Sequence, residues 1–138
     1  YGKRVVDLGA GTGLATQILV NNFESVVALD ISKEMIKNSI TPETPQVCAD
    51  SNRLPFASNS IDVFLMMNMI LFPNEIERCL KAKGFLVWIS SRGPDTPIYL
   101  PPEEVIDLMS ANSEVSWSDV SAHAHEGSWL VARRSITR

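Results

Sequence analysis

The 138-residue sequence predicts a doubly wound α/β sheet, and two observations carry that reading. Apolar strand-like runs alternate with segments of helical periodicity along most of the chain, the pattern of a parallel sheet with right-handed crossovers. The first such run passes through a glycine-rich turn straight into a helical segment, and the second ends in an acid, Asp30.

The elements follow in order. Val5, Val6 and Leu8 have the β-branched and aliphatic character of a buried parallel strand, placed at 4–8. Leu14, Ile18 and Leu19 recur at helical spacing and predict a helix over 14–22 with these residues as its apolar stripe. A second strand at 25–30 leads to a helix at 32–39, for which Ser32 or Asp30 is a suitable cap. A short strand at 46–49 and a longer one at 61–67 come next. Pro73 sits in a tolerated first-turn position of a helix at 73–81. A strand at 84–90 precedes a helix that opens at Pro101-Pro102-Glu103-Glu104 and runs to Met109. Strands at 114–120 and 128–134, with a turn around Glu126-Gly127, predict a closing antiparallel hairpin.

In such a sheet a ligand lies beyond the carboxyl ends of the strands at the topological switch point. Gly9, Gly11 and Gly13 supply a turn whose backbone a ligand can approach, and Ala10 lies among them. Asp30 is placed to accept hydrogen bonds from the hydroxyls of an adenosine ribose. The spacing is Gly-x-Gly-x-Gly, with Leu14 where the dinucleotide fingerprint needs its third glycine. Asp7, two residues before the first glycine, repels a pyrophosphate and attracts an ammonium and a sulfonium. The pattern therefore disfavours an NAD(P)-linked oxidoreductase.

Asp7-Leu8-Gly9-Ala10-Gly11-Thr12-Gly13, Leu29-Asp30, Ala49-Asp50-Ser51, Leu54-Pro55-Phe56, Ser60-Ile61-Asp62-Val63 and Arg78-Cys79-Leu80-Lys81 occur in this order up to about Ser91. In that order they resemble the motifs of class I S-adenosylmethionine-dependent methyltransferases, of the small-molecule type with a compact core domain. The resemblance implies a Rossmann-like seven-stranded sheet of order 3-2-1-4-5-7-6 with strand 7 antiparallel. It also implies S-adenosylmethionine as cofactor and S-adenosylhomocysteine as product. On it, the 9–13 turn lies against the methionine portion, Asp30 holds the ribose, and Asp50 accepts from the adenine amine with the Ser51 backbone facing the ring. Ile31 and Met35 pack on adenine or ribose, or fill the core. Asn68, where the fourth strand ends, faces the transferable methyl or the cofactor amine. Lys81-Ala82-Lys83-Gly84 departs from the family's usual Lys-Pro-Gly-Gly, and the link from Asn68 to Arg78 is short.

No catalytic residue is assigned; Asn68 and His123 are the candidates. Imidazole is a suitable base near neutral pH, but His123 and His125 also fit a solvated loop or an alternating strand face. No metal site is expected. Arg92 and Tyr99, in a long Pro- and Gly-containing loop, are candidate substrate contacts or plain surface. Cys48 and Cys79 read as reduced core cysteines, and the tryptophans as core or sheet-face packing.

Hydrophobic content of 45% suits one core, so the expectation is a single domain over 1–138. A net charge of −4 with scattered Lys and Arg offers no basic face for nucleic acid. No apolar run is long enough for a bilayer, and the expected location is cytoplasmic. Family members usually carry an N-terminal lid that this sequence lacks, so a segment outside it or a partner subunit is expected to close the site. The reading is a methyltransferase acting on a small-molecule substrate. Its rival is a catalytically inactive S-adenosylmethionine-binding regulatory or scaffold subunit.

Overall fold

The computed structural model describes residues 3–111 and 113–135. Strands β1 (Arg4–Leu8), β2 (Ser25–Asp30), β3 (Gln46–Cys48), β4 (Ile61–Met67), β5 (Leu80–Ser90), β6 (Trp117–Ala124) and β7 (Gly127–Arg134) form a single sheet. Helices α1 (Leu14–Asn22), α2 (Lys33–Lys37), α3 (Pro73–Cys79) and α4 (Pro102–Ser110) connect them. The strand order is β3-β2-β1-β4-β5-β7-β6. β1 to β5 run parallel, and β7 pairs antiparallel with both β5 and β6. This is the predicted fold and strand order.

The central strands are buried on both faces, which their continuous apolar runs require. Val6, Phe64, Met66, Leu86, Trp88 and Leu130 pack with Ile76 and Cys79 of α3 and Val105 and Met109 of α4. On the opposite face Val5, Val26, Val63 and Leu65 pack with Leu19 of α1. The indole N–H of Trp88 donates to the Leu100 carbonyl, so the buried ring keeps its polar atom satisfied.

Several boundaries differ from the expectation, each for a local reason. In α1, Leu19 packs as expected, but Leu14 and Ile18 are 65% and 66% exposed, and Thr16 shares the buried side with Leu19. The Thr16 hydroxyl donates to the buried Asp7 carboxylate at 2.6 Å, which turns that side of the helix to the sheet. α2 is shorter than 32–39 because Asn38 folds back, its backbone N–H and its side-chain amide both donating to the Glu34 carbonyl. α3 stops at Cys79, where Leu80 becomes extended and starts β5 four residues early. Between Ile61 and Val63 of β4 the register of β5 slips from Leu80 to Phe85, so the Lys81–Gly84 stretch bulges out, with Lys83 at φ 66°.

β6 begins at Trp117 rather than 114. Ser113 holds the preceding residues in a turn, its hydroxyl accepting from the Val115 N–H and donating to Glu77. The hairpin turn is His125–Glu126, with His125 at φ 55°. Gly127 instead closes the ladder opposite Ala124, where a Cβ would come within 3.1 Å of the Ser91 carbonyl. Cys79 is buried as expected, but Cys48, on the edge strand β3, is exposed. Among the described residues no helix is long and apolar enough to cross a membrane.

Arg134 ties the end of β7 to the end of α3. Its guanidinium donates to the carbonyls of Glu77 and Leu80 and to Asn59 Oδ1. A cation here satisfies carbonyls that the helix terminus leaves without partners. Arg134→Ala is expected to lower unfolding stability by about 2 kcal/mol, read as a lower urea midpoint at unchanged slope.

Candidate functional site

Five parallel strands deliver their following loops to one rim of the sheet, and the loops after β1, β2, β3 and β4 meet there. They enclose a cleft of ≈ 210 Å³. Gly9, Asp30, Ile31, Asp50 and Ser51 line it from the first three loops, and Met69, Ile70 and Phe72 from the fourth.

Asp30 organises the cleft. One carboxylate oxygen accepts the Gly11 N–H at 2.9 Å and the other the Ser32 N–H at 2.8 Å. The acid thus fixes the glycine turn against the start of α2, while Ser32 caps that helix by accepting from the Met35 N–H. The backbone N–H groups of Gly9 and Ala10 both donate to the Leu29 carbonyl, which pulls the turn sharply over the end of β2. Gly9, Gly11 and Gly13 all have positive φ. Gly9 has a second constraint: a Cβ there would sit 2.5 Å from the Met69 sulfur. The fourth loop therefore rests directly on the first.

Asp7 lies behind this turn and is 2% exposed. Burial pushes its pKa above the ordinary carboxylate range; the Thr16 hydroxyl opposes the shift, and the nearby Asp30 charge adds to it. Asp50 is exposed, accepts the Asn52 N–H in an Asx turn and stands beside the buried Ser51. Its loop is anchored to α3. Arg78 donates to the Leu54 and Phe56 carbonyls, and Glu75 accepts the Leu54 N–H. The Arg78 guanidinium pairs with Glu75 at 2.9 Å and holds that carboxyl below its usual range.

Of the residues singled out in the sequence, Gly9, Asp30, Ile31, Asp50 and Ser51 come together in the cleft. Ala10, Gly11 and Gly13 complete the turn, with Gly13 at the N-cap of α1. Met35 is on α2 and 44% exposed. Asn68 stands at the rim, its amide engaged by Ser91. His123 is an exposed residue of β6, paired with Ser128, and does not line the cleft. Arg92 is exposed and Tyr99 half-buried in the β5–α4 loop. Sequence reasoning missed Thr16, Ile70, Phe72 and Glu75 as parts of the site or its support. Only the Phe72-Pro73 helix start signalled that a wall ends there.

Asp7→Asn is expected to raise the melting temperature of the ligand-free protein near neutral pH. The pKa of Asp7 is higher folded than unfolded, so its unfavourable contribution appears as pH rises through the carboxylate range and vanishes below it. The advantage of the variant should disappear in acid, checked by thermal denaturation across pH. Gly9→Ala, forced into positive φ and against Met69, is expected to cost about 1–3 kcal/mol by denaturant titration.

Comparison with known proteins places this arrangement. The methyltransferase domain family model matches residues 6–88, the span that contains every residue of the cleft. The chain is 41% identical over 103 residues to a demethylmenaquinone methyltransferase of Corynebacterium urealyticum, covering 70% of this chain and 45% of that protein. It is 35% identical over 114 residues to a malonyl-(acyl-carrier protein) O-methyltransferase of a Methylovorus species, covering 68% and 38%. The chain thus spans less than half the length of these relatives. A solved methyltransferase of Aquifex aeolicus, described as S-adenosylmethionine-dependent, superposes with a TM-score of 0.74 over 98% of this chain and 83% of that one, at 18% identity. The glycine turn, the acid that ends β2 and the strand order fall within the matched family, and the chain belongs to the class I S-adenosylmethionine-dependent methyltransferases.

Proposed function

We propose that this chain binds S-adenosylmethionine in the cleft and transfers its methyl group to a small-molecule acceptor. The observation that carries the reading is the convergence of Gly9, Asp30, Asp50 and Ser51 in one cleft with the Asp30 carboxylate already pinned to the Gly11 N–H. The donor set fits the cofactor. Asp30 is half-buried and retains acceptor capacity for ribose hydroxyls on both oxygens. The exposed Asp50 is an acceptor for the adenine amine, and the apolar Ile31, Ile70 and Phe72 suit the faces of a base. The glycine turn leaves backbone within reach of the methionine portion. Asp7 supplies negative charge behind it for the cationic groups, whereas Met35, exposed on α2, does not line the cleft.

When bound, the cofactor supplies an activated methyl on a sulfonium leaving group, so the protein's part is placement. Proximity and alignment of the reacting atoms can contribute about 7–11 kcal/mol. The chain provides a rigid turn, a fixed acid and an apolar wall, and no dedicated base is required for an acceptor that is already nucleophilic. Names of relatives support a small-molecule or carrier-bound acceptor: one is a demethylmenaquinone methyltransferase, the other a malonyl-(acyl-carrier protein) O-methyltransferase. The apolar rim, with Ile31 68% and Ile70 47% exposed, supports an acceptor with an apolar body.

Calorimetric titration with S-adenosylhomocysteine tests the cofactor site without the acceptor. Micromolar affinity, about −8 kcal/mol, is expected. Asp30→Ala should weaken it by at least about tenfold, equivalent to about 1.4 kcal/mol. Absence of binding by the folded full chain would overturn the reading.

A further inference from the structure

Asn68 is a non-glycine residue with φ 53° immediately after β4. This left-handed conformation is costly for most side chains, and asparagine is among the few that tolerate it. Its backbone N–H donates to the Ile89 carbonyl, adding one rung to the β4–β5 ladder beyond Met67. Its side chain then closes a reciprocal pair with Ser91. The Ser91 N–H donates to Asn68 Oδ1 at 3.0 Å, and Asn68 Nδ2 donates to Ser91 Oγ at 2.8 Å. A carboxamide offers a donor and an acceptor side by side for such a pair.

Ser91 is itself held. The closing residue of the hairpin, Gly127, packs closely on Ser91, a Cβ there coming within 3.1 Å of the Ser91 carbonyl, and the neighbouring Arg92 N–H donates to Thr96 Oγ1. The clasp thus fastens the start of the fourth loop to a corner that the hairpin fixes. The next residues form one wall of the cleft. Met69 rests its sulfur over Gly9, and Ile70 and Phe72 form the wall opposite Asp30 and Asp50. A methionine side chain is flexible, so the backbone direction leaving Asn68 decides where that wall stands.

We propose that Asn68 is a positioning residue whose left-handed backbone and two-way bond with Ser91 hold the Met69–Phe72 wall at the spacing from the glycine turn that the ligand needs. It acts through Met69 and Ile70. The inference rests on the cofactor reading above, and it assigns to the amide a role in shaping the cleft.

Four variants of the full chain separate the components. Asn68→Asp keeps an acceptor for the Ser91 N–H, can accept from the Ser91 hydroxyl and tolerates positive φ. Asn68→Gly keeps the backbone conformation and removes the clasp. Asn68→Ala loses both, and Ser91→Ala removes only the hydroxyl. S-adenosylhomocysteine affinity by calorimetry is expected to stay within about threefold of the parent for Asn68→Asp, to fall about threefold for Ser91→Ala, and to fall about tenfold or more for Asn68→Gly and Asn68→Ala. The Met69 methyl resonance, followed by NMR without ligand, should move in Asn68→Gly and return towards the parent position in Asn68→Asp. Parent-like affinity in Asn68→Gly would overturn the proposal, because backbone conformation alone would then suffice. Losses of affinity with an unmoved Met69 resonance would overturn it as well. Failure of the parent itself to bind would sink the cofactor reading and this inference together, whereas binding by the parent with an unresponsive series sinks this inference alone.

Discussion

Everything at the site depends on the step between β1 and β4. Parallel neighbours must be joined by crossovers over a sheet face. From β1 the chain works outward to β2 and β3, then returns to β4 on the other side of β1 and continues to β5. The loops leaving β1 and β4 therefore part company at the rim, and a crevice between them is a product of topology before any side chain is considered. The glycine turn fills its floor, and the Met69–Phe72 segment forms one wall. The electrostatics follow. Asp7 is driven under the turn by its place in a strand buried on both sides, and it accepts a hydrogen bond from the Thr16 hydroxyl of the helix above.

Legibility of the fold follows the range over which each element is determined. β1, α1, β2 and β4 were readable to the residue, because apolar runs, glycines and acids lying side by side in sequence decide them. The start of β5 was not: Leu80 pairs with Ile61, and the bulge that makes this possible depends on a partner strand nearly twenty residues earlier in the chain. The face of α1 was misjudged for a similar reason. Leu14 and Ile18 carry the hydrophobic pattern, but a single buried hydrogen bond from Thr16 to Asp7 outweighs it in setting the rotation. In the hairpin, Gly127 looked like turn chemistry and is a close-approach residue against Ser91.

The site was legible where its residues are also punctuation. Gly9, Asp30 and Asp50 lie at or within two residues of strand ends, so the pattern that located the strands also located them. The far wall was not legible. Ile70 and Phe72 read as ordinary apolar residues, and only their meeting with Gly9 and Asp30 gives them a place in the cleft. The supports were hidden for the same reason: Glu75 reaches back to the Leu54 N–H from a helix whose own pattern says nothing of that loop.

The bulge at Lys81–Gly84 lies where β4 begins and β5 has barely started, at the end of the sheet away from the cleft. Five steps of β5, from Leu80 to Phe85, run beside two of β4, from Ile61 to Val63, and the surplus is absorbed before the strands reach their ligand-facing ends. Beyond the bulge the ladder runs without interruption from Val63 opposite Phe85 to Met67 opposite Ile89, up to the corner that follows Ser90. The surplus length is thus taken up at the end of the sheet opposite the cleft, and the strand ends that carry the ligand-facing loops stay in register.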